Sequence, residues 1–418
     1  MEVDAQMSVC SDIAGYKWLT GTEAAAYFAE LAATQAPLHT ALERLRHHLT
    51  PAKAHLLLEQ VELRRRAKEK FSAADRMFFT RVGLEQATDE WVARYKATRF
   101  AKQRAGASTP PVIADFCCGV GGDLIALSEH GVIIGVDREP VAGHFAEVNA
   151  SLFGSAGRIT IFPERVEDFE SDNVAAWHID PDRRAGGRRT TSLDACQPSL
   201  DTIERQLAQV PHAAVKLAPA TKVPPEWAER CELEWISRDG ECRQLVAWHG
   251  ELVGSPGLRR ATILTTSAAS RGVHAHGDEP RSILGRHDQS IPVSNKLGDF
   301  VFDIDPAIRA AHLQGALAAG LNLSAVATGP SYFTGNSPII DAAVGCFKIE
   351  QVLPLRVRAI AEHLRDRGIG RLEIKKRGID IDPEKLRRDL KLRGDNAATL
   401  LITPIAGRHA AIVAQRIS

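Results

Sequence analysis

The sequence predicts an α/β protein built on a buried parallel sheet, and three observations support this fold class. Short apolar runs alternate with helical patterns between residues 112 and 217, which is typical of parallel strands joined by helices. A glycine-rich turn follows the first run. The last run is followed by two alternating strands around Asp239-Gly240, which predict an antiparallel hairpin. The five runs are VIADF, VIIGVD, RITIF, AAWHID and AAVKLAP.

The remaining elements flank this block on both sides. Apolar residues at helical spacing predict helices over residues 20–105, with Pro51 beginning one segment and Thr88 capping another. The tail from residue 347 onward is predicted as strand, helix, strand, helix, strand, strand. The predicted division is an N-terminal helical region (1–105), an α/β domain (106–253), a connector with one short strand (254–296) and a small C-terminal α/β domain (297–418).

Composition excludes several classes of protein. The 418 residues carry no net charge, so no global field favours nucleic acid or a membrane surface. The seven cysteines are scattered without a CxxC pair, which favours reduced thiols over a disulfide framework or a zinc site. No apolar h-region and no run of about 18 apolar residues is present, so we expect a cytoplasmic protein without a membrane partner or a metal.

The turn ADFCCGVGGDL, residues 114–124, predicts a ligand site where the first strand meets the first helix. A dinucleotide fingerprint would need glycine where Leu124 stands, and Asp123 at the helix start would repel a pyrophosphate. Asp115 is placed to pair with a cationic amino group, and Asp137 to accept from a ribose hydroxyl pair. An amino acid joined to a nucleoside without phosphate describes S-adenosylmethionine. The alternative is a tight turn with Asp137 as a strand-end cap.

The residues from this turn to RITIF resemble class I S-adenosylmethionine-dependent methyltransferases, which have a Rossmann-like sheet. Within them they are most similar to trimethylguanosine synthase and related RNA guanine-N2 methyltransferases, through the DFCCGVGG turn, Asp137, VNASLFG and the upstream LEQATDEWVARY. The whole chain resembles bacterial methyltransferases with a THUMP-like C-terminal domain. That match is carried by RLEIKKRG, LKLRGDNAATLLITPIAG and HAAIVAQRI.

The resemblance implies which residues bind the cofactor S-adenosylmethionine. Asp115, Gly119 and Gly121 would line its methionine end and Asp137 its ribose. Cys117 and Arg138 complete the predicted set around them. The acid that usually contacts adenine is replaced by Arg165, and Asp168 is our choice nearby.

The segment HIDPDRRAGGRR, residues 178–189, predicts a catalytic loop at the end of the fourth strand. Methyltransferases that act on exocyclic amines carry Asp/Asn-Pro-Pro-aromatic here, and positioning by such a loop lowers the barrier. This chain keeps Asp180 and Pro181 but replaces the aromatic residue with arginine. We expect Asp180 to orient the nucleophile, with Arg183 and Arg184 binding substrate anions. The alternative is a capping aspartate beside solvated arginines.

The tail suggests RNA as a partner. Residues 355–393 contain thirteen Lys/Arg against seven Asp/Glu, which indicates either RNA-binding basic helices or a solvated face. Tyr332 and Phe333 are either stacking residues or packing residues. We therefore predict a methyltransferase that modifies RNA, with an exocyclic base nitrogen as the first acceptor to test. The alternatives are methyl transfer to a small anionic or protein substrate, and a non-catalytic RNA-binding protein.

Overall fold

The computed structural model describes residues 13–33, 38–104, 109–182, 184–185, 188–189, 192–265, 279–294 and 296–417. Within this part the chain divides into two units. The first comprises residues up to Glu232 and the segment Val246–Pro256; the second comprises Leu233–Leu245 and the residues from Gly257 onward. Each unit is described by itself below, and the four domain boundaries expected from the sequence stay a prediction.

The first unit begins with helices, as predicted. Residues 13–19 are helical. The following helices are α1 (Thr22–Ala33), α2 (Leu38–Arg46), α3 (Pro51–Ala67), α4 (Arg81–Gln86) and α5 (Glu90–Ala97), with a 3-10 helix at Thr98–Arg104. Pro51 begins α3 behind the cap Thr50. The predicted cap Thr88 is wrong: the side chain of Asp89 accepts from Val92 N and caps α5, because the Thr88 hydroxyl is bound elsewhere.

The strands and helices that follow match the predicted alternation. They are β1 (Val112–Phe116), α6 (Gly122–Leu127), β2 (Val132–Val136), α7 (Pro140–Ser151), β3 (Ile159–Phe162), β4 (Ala176–Ile179), β5 (Arg184–Ala185), β6 (Arg188–Arg189), α8 (Leu200–Gln209), β7 (Ala213–Leu217) and α9 (Pro225–Arg230). Shorter 3-10 turns lie at Ala156–Arg158, Val166–Asp168, Leu193–Ala195 and Gly250–Leu252. The five predicted strands all form, in the order β3-β2-β1-β4-β7, and all are parallel.

This strand order places a ligand site at one edge of the sheet. The chain proceeds outward from β1 to β3 and then returns to β4 on the other side of β1. Ligands of open α/β sheets bind at the carboxyl ends of the strands at such a reversal. The turn after β1, Asp137 after β2 and Asp180 after β4 all follow strands at this edge.

The predicted hairpin is present as β8 (Glu232–Arg238) and β9 (Glu241–Trp248). Asp239 and Gly240 have φ angles of 51° and 80°, the left-handed pair that a two-residue hairpin turn requires. The far end of β9 pairs with β7 through Ala213 and His249. The predicted connector contains two strands where we expected one, β10 (Arg259–Leu264) and β11 (Arg281–Gly285), and β10 runs parallel to β8.

The second unit carries a further seven-stranded sheet with helices. Its elements are β12 (Phe300–Ile304), α10 (Pro306–Ala310), α11 (Gln314–Leu321), β13 (Ser324–Ala325), β14 (Phe333–Gly335), β15 (Val344–Pro354), α12 (Val357–Asp366), β16 (Ile369–Lys376), α13 (Pro383–Leu390), β17 (Asn396–Ile405) and β18 (Arg408–Arg416). The strand order is β13-β14-β12-β15-β18-β17-β16. The tail therefore has the predicted succession of elements.

Strand β17 of the second unit is buried on both of its faces, which explains its continuous apolar run at residues 400–402. Leu400 and Ile402 of β17 pack in the same cluster as Leu364 of α12 and Leu390 of α13. Leu401, between them in β17, packs in a second cluster that includes Tyr332. Tyr332 and Phe333 are 1% and 3% exposed, so they are packing residues and the stacking alternative is wrong.

The N-terminal helices are joined to the sheet of the first unit through Asn149 on α7. Its side-chain amide donates to Phe78 O and Val120 O at 2.9 Å, and its oxygen accepts from Phe78 N at 2.8 Å. Phe78, Val120 and Phe145 belong to one apolar cluster with residues of α3. One buried amide therefore connects the helical region, α7 and the glycine turn.

We expect Asn149→Ala to lower the free energy of unfolding by about 3 kcal/mol, because each buried group left without a partner costs roughly 1–3 kcal/mol. Denaturant unfolding measures the change. Ser151→Ala is the control, since its exposed hydroxyl bonds only Val148 O of the same helix and its loss should stay within about 0.5 kcal/mol. Equal, small effects of both substitutions would contradict the connection.

Candidate active site

The glycine turn after β1 has the backbone geometry of a ligand-binding loop. Cys117, Gly119 and Gly121 all lie in the left-handed region, with φ of 57°, 56° and 90°. A Cβ on Gly121 would lie 3.2 Å from Ala146 Cα, so glycine permits the close approach of α7. The Gly119 amide donates to Asp137 Oδ2 at 2.8 Å, which links the turn to the end of β2.

A chain of buried polar groups lies behind this turn. His178 Nδ1 on β4 lies 2.7 Å from Asp115 Oδ1, and its Nε2 lies 3.0 Å from Lys96 Nζ on α5. Lys96 pairs with Asp123 Oδ1 at 2.7 Å, and the Thr88 hydroxyl donates to Asp123 Oδ2 at 2.6 Å. Each of these residues is less than 10% exposed. Five side chains from α5, β1, α6, β4 and the turn before α5 thus form one network.

The network determines where protons sit. An ammonium group only donates, so Nε2 of His178 accepts from Lys96 and its Nδ1–H donates to Asp115, an assignment made from the hydrogen bonds. Burial lowers the pKa of Lys96 despite its pairing with Asp123. Burial alone would raise the pKa of Asp123, but nearby positive charges, Lys96 first among them, outweigh it and lower that pKa. The expected role of Asp123 in repelling a phosphate is wrong, because this charge is paired.

Asp115 has one oxygen that the network does not use. Its Oδ2 is buried and has no hydrogen-bond partner within the described part of the chain. Burial raises the pKa of this carboxyl, and the hydrogen bond from His178 opposes the rise. An unpartnered buried carboxylate oxygen is costly unless a ligand donor satisfies it.

Asp180 and Lys216 form a second ion pair at the ends of neighbouring strands. Lys216 Nζ on β7 binds Asp180 Oδ2 and donates to Gln86 O at 3.3 Å. The Lys216 side chain is 7% exposed and that of Asp180 is 20% exposed, so the carboxylate faces the site from its rim. The pair fixes one oxygen of Asp180 in place.

The loop after Asp180 is attached at two points. Pro181 is buried, and Asp182 pairs with Gln197 through backbone hydrogen bonds of 2.8 and 2.9 Å. Gln86 Nε2 donates to Asp182 Oδ1 at 3.0 Å, so the N-terminal region also holds the loop. Arg183 lies outside the described residues, and Arg184 is described only as backbone of β5.

The other predicted cofactor residues lie at the same edge of the sheet. Burial raises the pKa of the partly exposed Cys117 thiol, the charges of Asp137, Asp180 and Asp115 add to the rise, and the charge of Arg138 opposes it. Arg138 extends to Gln197 Oε1, at 2.7 Å. Asp168 is exposed in the 3-10 turn after β3.

Sequence reasoning missed Lys96, His178, Lys216 and Gln86. For two of them the sequence contains a signal of a functional role, because His178 and Lys216 are polar residues inside otherwise apolar strands. Lys96 lies on a helix where lysine is ordinary. No group of metal-ligating side chains occurs among the residues that the structure describes, and no described helix is long and apolar enough to cross a membrane.

Comparison with known proteins identifies the class and then the family. The fold is similar to that of a crystal structure from Porphyromonas gingivalis W83 described as a methyltransferase, with a TM-score of 0.69 and 17% identity over 89% of this chain and 92% of that one. A protein known as an uncharacterized S-adenosylmethionine-dependent methyltransferase of Mycobacterium tuberculosis, in strains CDC 1551 and H37Rv, is 30% identical over 365 residues, 84% of this chain and 93% of the relative. The chain therefore belongs to the S-adenosylmethionine-dependent methyltransferases.

This membership confirms the expected enzyme class and cofactor, S-adenosylmethionine, so the alternative of a non-catalytic protein is wrong. The family model described as THUMP domain-like matches residues 344–416, which confirms the expected C-terminal domain type.

The pairing of Asp123 predicts a specific pH dependence. Its lowered folded pKa means that it stabilises the fold above its unfolded pKa, near 3.9, and that this contribution is lost as the pH falls through the lower folded value. We expect Asp123→Asn to cost about 3 kcal/mol of unfolding free energy near pH 6, since it leaves Lys96 buried without its partner. The difference from the unsubstituted protein should narrow below about pH 4.

Denaturant unfolding between pH 3 and 6 measures this difference. Asp172→Asn, at an exposed aspartate, is the control and should change stability by less than about 0.5 kcal/mol throughout. A small, pH-independent effect of Asp123→Asn would contradict the role of the pair.

Proposed function

We propose that this enzyme methylates RNA, with an exocyclic nitrogen of a base as the acceptor, and that Asp180 orients that nitrogen. The observation that carries the proposal is the Asp180–Lys216 pair at the rim of the glycine-turn site. Lys216 holds Oδ2, and Oδ1 carries the lone pairs that would accept from an amine N–H. The THUMP domain-like match and the basic residues of 355–393 support RNA as the substrate.

The residues of the turn fit S-adenosylmethionine. The unpartnered Oδ2 of Asp115 suits the ammonium of the methionine end, beside Gly119 and Gly121. Each oxygen of Asp137 accepts one backbone amide, from Gly119 at 2.8 Å and from Glu139 at 2.9 Å. Because a carboxylate accepts about four hydrogen bonds, Asp137 keeps two positions for a ribose hydroxyl pair.

Three further residues complete the proposed cofactor site. Cys117 would contact the ligand from within the turn, Arg138 from the end of β2, and the exposed Asp168 would accept from the adenine amine.

When bound, S-adenosylmethionine supplies a methyl group on an already activated sulfonium. The protein then needs alignment more than acid–base strength. Asp180 and the buried Pro181 would align the acceptor nitrogen, and Lys216 keeps Asp180 oriented. Arg183 and Arg184 would bind the phosphates that flank the acceptor. Such a substrate also agrees with a cytoplasmic enzyme whose described cysteines are free thiols.

We expect substitutions of Asp115 and Asp180 to impair different steps, cofactor binding and methyl transfer respectively. Asp115→Asn should weaken S-adenosylmethionine binding about tenfold or more in calorimetric titration, because a charge-assisted hydrogen bond is lost. Asp180→Ala should bind the cofactor within about threefold and lose about 100-fold in methyl transfer, since the acceptor is misaligned. Arg183→Ala should lower transfer with cofactor binding intact. Unchanged transfer in both the Asp180 and Arg183 variants would contradict the assignment.

The substrate class is tested by transfer of a radiolabelled methyl group to total RNA and to total protein from a strain lacking the gene. We expect label in RNA, and nuclease digestion should place it on a base. The Asp180→Ala enzyme is the control for background labelling. Label only in protein or small molecules would overturn the RNA proposal and favour a small anionic or protein acceptor, with Arg183 and Arg184 binding its carboxylates.

A further inference from the structure

The second unit contains three cations gathered on one carboxylate. Asp303, near the end of β12, accepts from Arg377 Nη2 at 2.9 Å and from Lys375 Nζ at 3.0 Å. Arg309 Nη1 on α10 lies 3.5 Å from the same carboxylate. The Asp303 side chain is 9% exposed, whereas each cation is about 30% exposed. Solvent therefore reaches the positive groups and hardly reaches the negative one.

This cluster has more positive than negative charge. Burial and then the charge of Arg377 lower the pKa of Arg309, against the opposing charges of Asp303 and Asp305. Glu373 lies 3.8 Å from Lys375 but is itself paired with Arg416 at 3.2 Å. Asp305 accepts the Ala307 amide at 2.7 Å as the cap of α10. Asp303 is therefore the carboxylate that pairs with all three cations.

Some N–H and O–H donors of this cluster are not used by contacts within the protein. A guanidinium group has five N–H donors. Arg377 directs Nε and Nη2 to Asp303 and Nη1 to Lys376 O, and Arg309 directs Nη1 to Ile304 O. Tyr332 lies beside them, with Arg377 5.8 Å from its ring centroid, and its buried hydroxyl has no hydrogen-bond partner among the described residues. Burial raises the pKa of this hydroxyl, so it is a neutral donor.

We propose that Arg309, Lys375 and Arg377, with the Tyr332 hydroxyl, form a binding site for a phosphate group of a polyanion. A phosphate supplies the negative charge that the cluster lacks and accepts several N–H bonds from fork-shaped guanidinium groups. The site rests on the proposed function in naming RNA as the polyanion. It differs from the basic helices of the tail, because its cations come from α10 and the end of β16.

The competing explanation is a purely structural ion cluster that ties β12 to the end of β16. Substituting Asp303 separates the two explanations. Asp303→Asn destabilises a structural cluster, but it also adds one positive charge to a phosphate site. The structural explanation predicts lower stability with unchanged RNA affinity, and our proposal predicts a higher RNA affinity in the folded variant, because the phosphate no longer competes with a carboxylate.

The test is fluorescence anisotropy with a labelled single-stranded RNA oligonucleotide and the full chain, across a salt series. We expect Arg309→Ala with Arg377→Ala to weaken binding about tenfold at low salt and to reduce the slope of log K against log salt by about 0.7 per lost phosphate contact. The single variant Arg309→Lys keeps the charge, so it should bind RNA with most of the affinity of the unsubstituted chain. Thermal melting of each variant checks that it is folded.

Arg65→Ala with Arg66→Ala on α3 is the matched control, since it removes the same charge from an exposed helix face outside the basic tail. A loss of affinity in this control with unchanged binding in the cluster variant would overturn the site. Failure of RNA to bind the unsubstituted chain would overturn it as well. Methyl transfer to RNA is measured separately. If the unsubstituted enzyme methylates RNA but the cluster variant binds RNA normally, only the site is refuted. If the cluster variant binds RNA more weakly but the unsubstituted enzyme does not methylate RNA, only the proposed function is refuted.

Discussion

The buried pair between Lys96 and Asp123 is the interaction on which the candidate site depends. Two opposite charges that are each less than 10% exposed persist in a protein interior only when they compensate each other. Lys96 comes from the N-terminal helices and Asp123 from the helix after the glycine turn. Lys96 also fixes His178, and His178 orients Asp115. The N-terminal helices therefore belong to the first unit and support its candidate site.

The N-terminal helical region also contacts the residues at the rim of the site. Gln86, at the end of α4, accepts from Lys216 through its carbonyl and donates to Asp182 through its side chain. One residue thus contacts both the partner of Asp180 and the residue after Pro181. Because Asn149 connects the helices to the glycine turn as well, the helical region contacts the site on both of its sides.

The local sequence pattern was sufficient to predict the sheet of the first unit but not the buried polar network around Lys96 and His178. Continuous apolar runs predicted the five parallel strands, and the Asp239-Gly240 turn predicted the hairpin. The pairs Lys96–His178 and Lys216–Asp180 join residues 82 and 36 positions apart, which no local spacing reveals. The hydroxyl of Thr88 suits a helix cap, so local sequence predicts one there. In the structure a distant carboxylate, Asp123, takes that hydroxyl and leaves Asp89 to cap the helix.

The environments of the carboxylates also limit the chemistry that Cys117 could perform. A nucleophilic cysteine needs a lowered pKa, which requires nearby positive charge. Cys117 is partly exposed, and burial together with the charges of Asp137, Asp180 and Asp115 raises its pKa against the opposing charge of Arg138, so it stays a thiol. A covalent intermediate on this residue is therefore disfavoured. This agrees with the proposal that the methyl group passes directly from the sulfonium to the acceptor.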